Sequence, residues 1–199
     1  MVAVPERSGY HHGALRQALI DASLELIETH GVEGFSLATA ARAAGVSAAA
    51  PYRHFANRAA LLGEIAAAGF GQLRDVLRAA AARHPDDPVE ALLEQGSDYI
   101  GWVVAHPAHA AVMFSTRGRE PQSDAGLAAL AELGAVLGRL AEGGRLAVPV
   151  DTALRTTWAL VHGLAVLHLG GMRTISEEDV PLLRRQVLRP LLDGGLLRP

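Results

Sequence analysis

The stretch GVSAAAPYRHF, residues 45–55, opens on a glycine, passes a serine, three alanines and a proline, and ends on four large groups, Tyr52, Arg53, His54 and Phe55. The segment running into it, SLATAARAAG from Ser36 to Gly45, reads as a short helix, with Ser36 able to cap its start and Gly45 stopping it. Ser47 is then placed to cap a second short helix. Two short helices joined by Ala44-Gly45-Val46 follow helix-turn-helix grammar, in which glycine accepts a turn with positive φ and valine plugs the angle. The second helix of such a pair enters a DNA major groove by its N-terminal end. Small groups at its front, Ala48 and Ala49 with Ala50, leave the backbone close to base edges and phosphates. A helix N-terminus attracts a phosphate, and proline costs little in the first turn. The large groups then fall where a phosphate backbone runs. Tyr52 can donate its hydroxyl to a phosphate, Arg53 and His54 can reach a base edge or a phosphate, and Arg58 opens the next helix as a cation. Phe55 is expected to point inward.

Outward from this stretch the pattern is helical throughout. HHGALRQALIDASLELIETHG sets Leu15, Leu19, Ala22 and Leu26 on one stripe and ends at Gly31, a natural C-terminal cap. A longer helix starts at Arg58 and breaks at HPDDP. Helical stretches follow from Pro88, from Pro107, across SDAGLAALAELGAVLGRLAEGG, across PVDTALRTTWALVHGLAVLHLGGM and across SEEDVPLLRRQVLRPLLDGG, where Ser176 and Asp179 form a capping-box-like start. The expectation is an all-α chain of about nine helices.

The chain has 199 residues, half of them hydrophobic, no cysteine and a net charge of −3. Disulfides and thiolate metal sites are excluded, and a cytoplasmic protein with no membrane span is expected. Up to Leu62 the cations Arg7, Arg16, Arg42, Arg53 and Arg58 face the anions Glu6, Asp21, Glu25, Glu28 and Glu33. A DNA-binding surface here must therefore come from arrangement rather than from excess charge.

The segment GFSLATAARAAGVSAAAPYRHFANRAALL resembles the DNA-binding segment of TetR-family transcriptional regulators, on Gly31, Phe35, Ala41, Ala44-Gly45-Val46-Ser47, Tyr52, His54-Phe55, Arg58 and Leu61-Leu62. The resemblance covers about residues 10–62. Trp158, His162 and Gly163 are similar to a Trp…His-Gly signature of one C-terminal subgroup of that family. The resemblance implies an all-helical homodimer that binds a double-stranded DNA operator and a small-molecule effector; a repressor released from its operator by that molecule is expected, with no cofactor. It implies a flexible arm at 1–9, a three-helix DNA-binding domain at 10–62 and a larger ligand-binding and dimerisation domain at 63–199. It also implies that Tyr52 and the cation at position 58 touch phosphate. The set expected at DNA is Ser36, Ser47, Ala48, Ala49, Tyr52, Arg53, His54 and Arg58, with Arg7, His11 and His12 as an arm. Ala40, where a larger aliphatic is common, and Pro51, where leucine is common, depart from the pattern.

Aromatic and sulfur groups in the C-terminal part are the candidates for a ligand chamber: Tyr99, Trp102 and His106 on one helix, Met113 and Phe114 on the next, and Trp158 with His162 four residues on. The helix carrying Trp158 is apolar all round, and the last helix has a stripe of Val180, Leu183, Val187, Leu188 and Leu191. These last two helices are expected to form a twofold dimer interface. His106 and His109 have a zinc-compatible spacing, but Pro107 separates them and no third ligand is evident, so no metal site is expected. There is no G-x-S-x-G elbow, and no enzyme is expected. The competing reading is a dimeric small-molecule binding protein whose N-terminal part no longer recognises DNA.

Overall fold

The computed structural model describes residues 8–115 and 124–198, with backbone alone for residues 8–12. Seven α-helices precede a C-terminal helical run: α1 (Ser8–Gly34), α2 (Leu37–Ala43), α3 (Arg58–Ala82), α4 (Pro88–Ala105), α5 (Pro107–Phe114), α6 (Asp124–Glu142) and α7 (Val150–Leu169). The run 177–196, termed α8, strings together 3₁₀, α and π turns. Its prolines at 181 and 190 remove main-chain donors, and the wider π turns close on Arg184 and Leu192 carbonyls instead.

Punctuation follows local chemistry. Gly31 adopts φ 71° at the end of α1. Ser36 and Thr39 form a reciprocal capping box, with the Thr39 N–H donating to Ser36 Oγ at 3.1 Å and the Ser36 N–H to Thr39 Oγ1 at 3.0 Å. Gly45, at φ 70°, ends α2 in a Schellman arrangement: the Val46 N–H donates to the Ala41 carbonyl at 2.9 Å and the Gly45 N–H to Arg42 at 3.1 Å. Asn57 caps α3 and Asp87 caps α4 through their side chains.

α1, α2, the turn after it and the start of α3 share a core of Leu19, Ile27, Phe35, Leu37, Ala40, Phe55, Leu61 and Ile65. Ala40 and Ala41 are fully buried. α3 then runs on as a shared strut, packing along α4, α5 and α6, while α5 also packs on α1. α7 lies on α4 and α6, and α8 lies on α4. Arg184 of α8 pairs with Glu90 and Glu94 of α4, and Arg83 adds a second cation to Glu94. The chain end returns to the α6–α7 connection, where Ala147 N–H donates to the Leu196 carbonyl at 2.9 Å.

On α7 the buried stripe is Ala153, Thr157, Val161 and Ala165. The face that the sequence offers, Leu154, Trp158, Val161, Ala165 and Leu169, shares Val161 and Ala165 with it, while Ala153 and Thr157 are buried in place of Leu154 and Trp158. A small-residue stripe lets α7 approach its neighbours closely, so packing favours it over the bulkier one. Trp158 consequently sits at the rim, and Val166, Leu167, Met172 and Leu182 are exposed.

Candidate nucleic-acid interface and ligand chamber

The element after Gly45 is shorter than a regular recognition helix. A turn at 47–49 leads into a 3₁₀ helix, Ala50–Arg53. Pro51 has no N–H to continue an α ladder, and Ala50 N–H closes instead on the Ser47 carbonyl at 2.9 Å. The Ser47 side chain makes no cap there, which corrects the expectation drawn from the sequence. Behind the turn, Phe55 is 2 % exposed and anchors the element, with Arg16 over its ring at 5.3 Å and paired to Glu64.

The turn brings Ser47, Ala48, Ala49, Tyr52 and Arg53 together as an exposed tip, with Tyr52 61 % exposed. His54 is half-buried beside it. Ser36 is half-buried, and its hydroxyl is committed to the capping box. Arg58 departs furthest from its expected place. Its Nε donates to the Phe35 carbonyl at 3.0 Å, a second guanidinium nitrogen donates to the Val32 carbonyl, and its charge lies 5.6 Å from the Phe35 ring centroid. Both carbonyls belong to the segment beyond the Gly31 kink that leads into α2, and the guanidinium supplies them with donors. Arg58 is thus tied back to α1 rather than held outward. Arg42, on the last turn of α2, is exposed and was not among the sequence candidates; its position just before a glycine stop was the available signal. Residues 1–7, including Arg7, and the side chains of His11 and His12 lie outside the described residues.

The larger cavity lies between α3, α4, α6 and α7, has a volume of about 630 Å³ and reaches the end of α5. Of the sequence candidates it gathers Tyr99, Phe114, Trp158 and His162. The Tyr99 hydroxyl and His162 Nδ1 are 3.0 Å apart, the Phe114 ring stands edge-on to His162 at 4.6 Å, and burial pushes the Tyr99 hydroxyl pKa up. Trp102, His106 and Met113 do not line it. Trp102 stacks on His106 at 4.9 Å with His109 beside both, and His106 Nδ1 meets the Trp102 carbonyl at 2.9 Å. Met113 is fully buried against Gly69, where the missing side chain of α3 admits its sulfur. Met113 thus turns to α3 while Trp102 and His106 turn to each other, a rotation that spacing along one helix leaves open.

The sequence reading missed Phe70, Gln95, Ser115 and Thr157 and the apolar face of α6. Gln95 and Thr157 carried a usable signal, being polar residues inside otherwise apolar helical stripes. Gln95 is 1 % exposed; its Nε2 donates to the Leu77 carbonyl at 3.2 Å and the Glu132 carbonyl at 3.1 Å. Its Oε1 and the Thr157 Oγ1 are buried without a partner. No charged side chain among the described residues lines the cavity, no group of three or more His, Asp or Glu among them is placed to hold a metal, and no helix among them is long and apolar enough to cross a membrane.

Residues 19–65 match the sequence profile of "Bacterial regulatory proteins, tetR family", and residues 92–189 match that of "Tetracyclin repressor-like, C-terminal domain". The HTH-type transcriptional regulator AcrR of Shigella flexneri is 34 % identical over 79 residues, which is 40 % of this chain and 37 % of that protein. The match therefore spans little more than a third of that relative's length. A Rhodococcus sp. RHA1 protein of unknown function superposes with TM-score 0.74 at 28 % identity, covering 92 % of this chain and 98 % of the other. The regulator FadR of Bacillus subtilis, solved in complex with stearoyl-CoA, superposes with TM-score 0.71 at 18 % identity, covering 89 % and 98 %.

Proposed function

Because the chain belongs to the TetR family of bacterial regulatory proteins, we propose that it is a ligand-responsive DNA-binding regulator, a repressor that a small molecule releases from its operator. In this reading residues 10–62 form the DNA-binding unit, residues 63–199 bind the effector and dimerise, and the protein is cytoplasmic and not an enzyme. The observation that carries it is the tip: Tyr52 and Arg53 stand exposed on a turn locked by a capping box, a Schellman stop and the buried Phe55. Tyr52 donates to a phosphate, Arg53 reaches a base edge or phosphate, and Ser47, Ala48 and Ala49 permit close approach. Ser36 and Arg58 serve the wedge from within, and His54 flanks it.

A second copy of the chain covers the apolar groups left exposed on α7 and after it, Val166, Leu167, Met172 and Leu182. A twofold pair holds two tips at a separation matched to successive major grooves, about 34–36 Å or a multiple of it. A ligand then releases DNA by binding more tightly to the form whose tips miss that spacing. α3 links the two activities, since its first turn belongs to the DNA-binding core and Phe70, Leu73 and Leu77 line the chamber. The stearoyl-CoA is a property of the Bacillus subtilis neighbour, which shares 18 % identity with this chain, and it is not carried over.

The test is binding of purified dimer to duplexes drawn from the DNA beside its own gene, titrated with salt. Arg53 at each of two tips and Arg42 on each α2 correspond to about four neutralised phosphates and a log–log slope of about −4, to which an arm would add. Dimers that ignore every such duplex overturn the reading and leave the small-molecule binding protein in its place.

A further inference from the structure

The chamber contains one side chain whose orientation leaves no choice. An amide can usually be turned to exchange its oxygen and nitrogen. Gln95 cannot, because the two groups it meets, the Leu77 and Glu132 carbonyls, only accept hydrogen bonds. Its Nε2 must face them, and Oε1 is left as a pure acceptor, buried and without a partner, on a residue that lines the cavity. Thr157 repeats the signal from the facing helix. Thr156, its neighbour, returns its hydroxyl to the Thr152 carbonyl at 2.9 Å, whereas the Thr157 Oγ1 is buried with no partner, on a residue that lines the same cavity. Thr157 lies one turn from Val161, which in turn sits close to Gly96, the residue next to Gln95. The rest of the wall is mostly hydrocarbon and aromatic ring, with Ser115 and the Tyr99–His162 pair as its other polar groups. The chamber extends along α3 from Phe70 to Leu77, two helical turns or about 10 Å.

We propose that the chamber takes a neutral, elongated, apolar molecule bearing a hydroxyl, with that hydroxyl donating to Gln95 Oε1 and meeting the Thr157 Oγ1. The inference rests on the regulator reading, naming the chemical class of its effector. An acceptor-only group, such as an ether or ester oxygen, leaves Gln95 unsatisfied. A carboxylate is likewise acceptor-only and opposes the Gln95 oxygen directly. Hydroxyl groups both donate and accept, so they serve an acceptor amide and a threonine together.

The experiment is calorimetric titration of the full-length protein with three probes: 1-octanol, its isomer 1-methoxyheptane, and octanoate. The expected result is binding of 1-octanol about tenfold tighter than the ether, the ratio a satisfied buried acceptor is worth, with octanoate weaker still. In Gln95→Met, which keeps length and loses the acceptor, the alcohol and the ether should bind alike. Thr157→Val, nearly isosteric and remote from the Gln95 struts, should narrow the ratio on its own, and it stands as the test if Gln95→Met fails to fold. Equal affinities in the wild type, a preference for the ether or octanoate, no binding of 1-octanol, or a ratio unchanged in both variants overturns the proposal. The outcome is separable from the regulator reading, since operator binding without ligand is measured independently. DNA binding with no alcohol preference sinks only this inference, and alcohol preference without DNA binding sinks only the repressor.

Discussion

Replacement of Arg58 distinguishes an internal strut from a phosphate contact. Its guanidinium donates to the Val32 and Phe35 carbonyls at the end of α1 and lies over the Phe35 ring. Arg58→Ala removes both bonds and the ring contact. The side chain is half-buried, so water can reach part of what it leaves behind, and each bond is taken at about 1 kcal/mol rather than the larger value for a dry site. The ring contact contributes about 0.5–1 kcal/mol. The expected loss is roughly 2–3 kcal/mol, or a fall in Tm of roughly 5–10 °C for a chain of this size. Arg58→Lys keeps one donor group, loses the fork, and should recover only about half of the loss. The assay is urea unfolding followed by circular dichroism, run beside a salt titration of operator binding. An unchanged unfolding midpoint in Arg58→Ala, together with weaker operator binding and a log–log slope reduced by about 1 per tip, would refute the strut and restore the phosphate role.

Other outcomes are equally specific. Tyr52→Phe removes one hydroxyl from an exposed ring, so the unfolding midpoint should hold while operator affinity drops roughly fivefold to tenfold, read by fluorescence anisotropy. Gly69→Ala places a methyl 2.5 Å from the Met113 sulfur in a filled site and should cost about 1–3 kcal/mol; adding Met113→Ala should cancel part of that cost, and full additivity in the double-mutant cycle would break the argument. On acidification, two groups act in one direction. Burial first, then neighbouring His106, lowers the His109 pKa below its ordinary 6.5, so the unfolded chain binds the proton more readily and stability falls as pH drops below about 6.5. Glu94 is pushed up by burial but held net below its ordinary 4.5 by the Arg83 and Arg184 hydrogen bonds, so its share is lost at lower pH still. His109→Leu should flatten the urea midpoint between about pH 6.5 and 5.5 and leave the more acidic limb in place; a slope unchanged in that window would remove His109 from the account.

Much of the architecture was legible in the sequence because local chemistry decides it. Gly31 and Gly45 stop helices where positive φ is needed, Ser36 and Ser176 open capping boxes, HPDDP separates α3 from α4, and helical apolar spacing recurs without a competing strand signal. Phe55 pointing inward and Tyr52 outward also followed from residue type and position. Ser47 makes no cap because Pro51, four residues on, has no N–H to give the Ser47 carbonyl and start a regular helix. Tertiary structure alone decided what Arg58 touches, since its carbonyl partners lie more than twenty residues back along the chain. It also decided the chamber. Spacing places Tyr99, Trp102 and His106 on neighbouring faces of α4, but the rotation of α4 against α3 and α7 sends Tyr99 to the cavity and Trp102 to a stack of histidines. A helix's own periodicity fixes which residues share a face; only the helices packed around it determine which face looks into an empty space, and whether a buried amide there finds its partner.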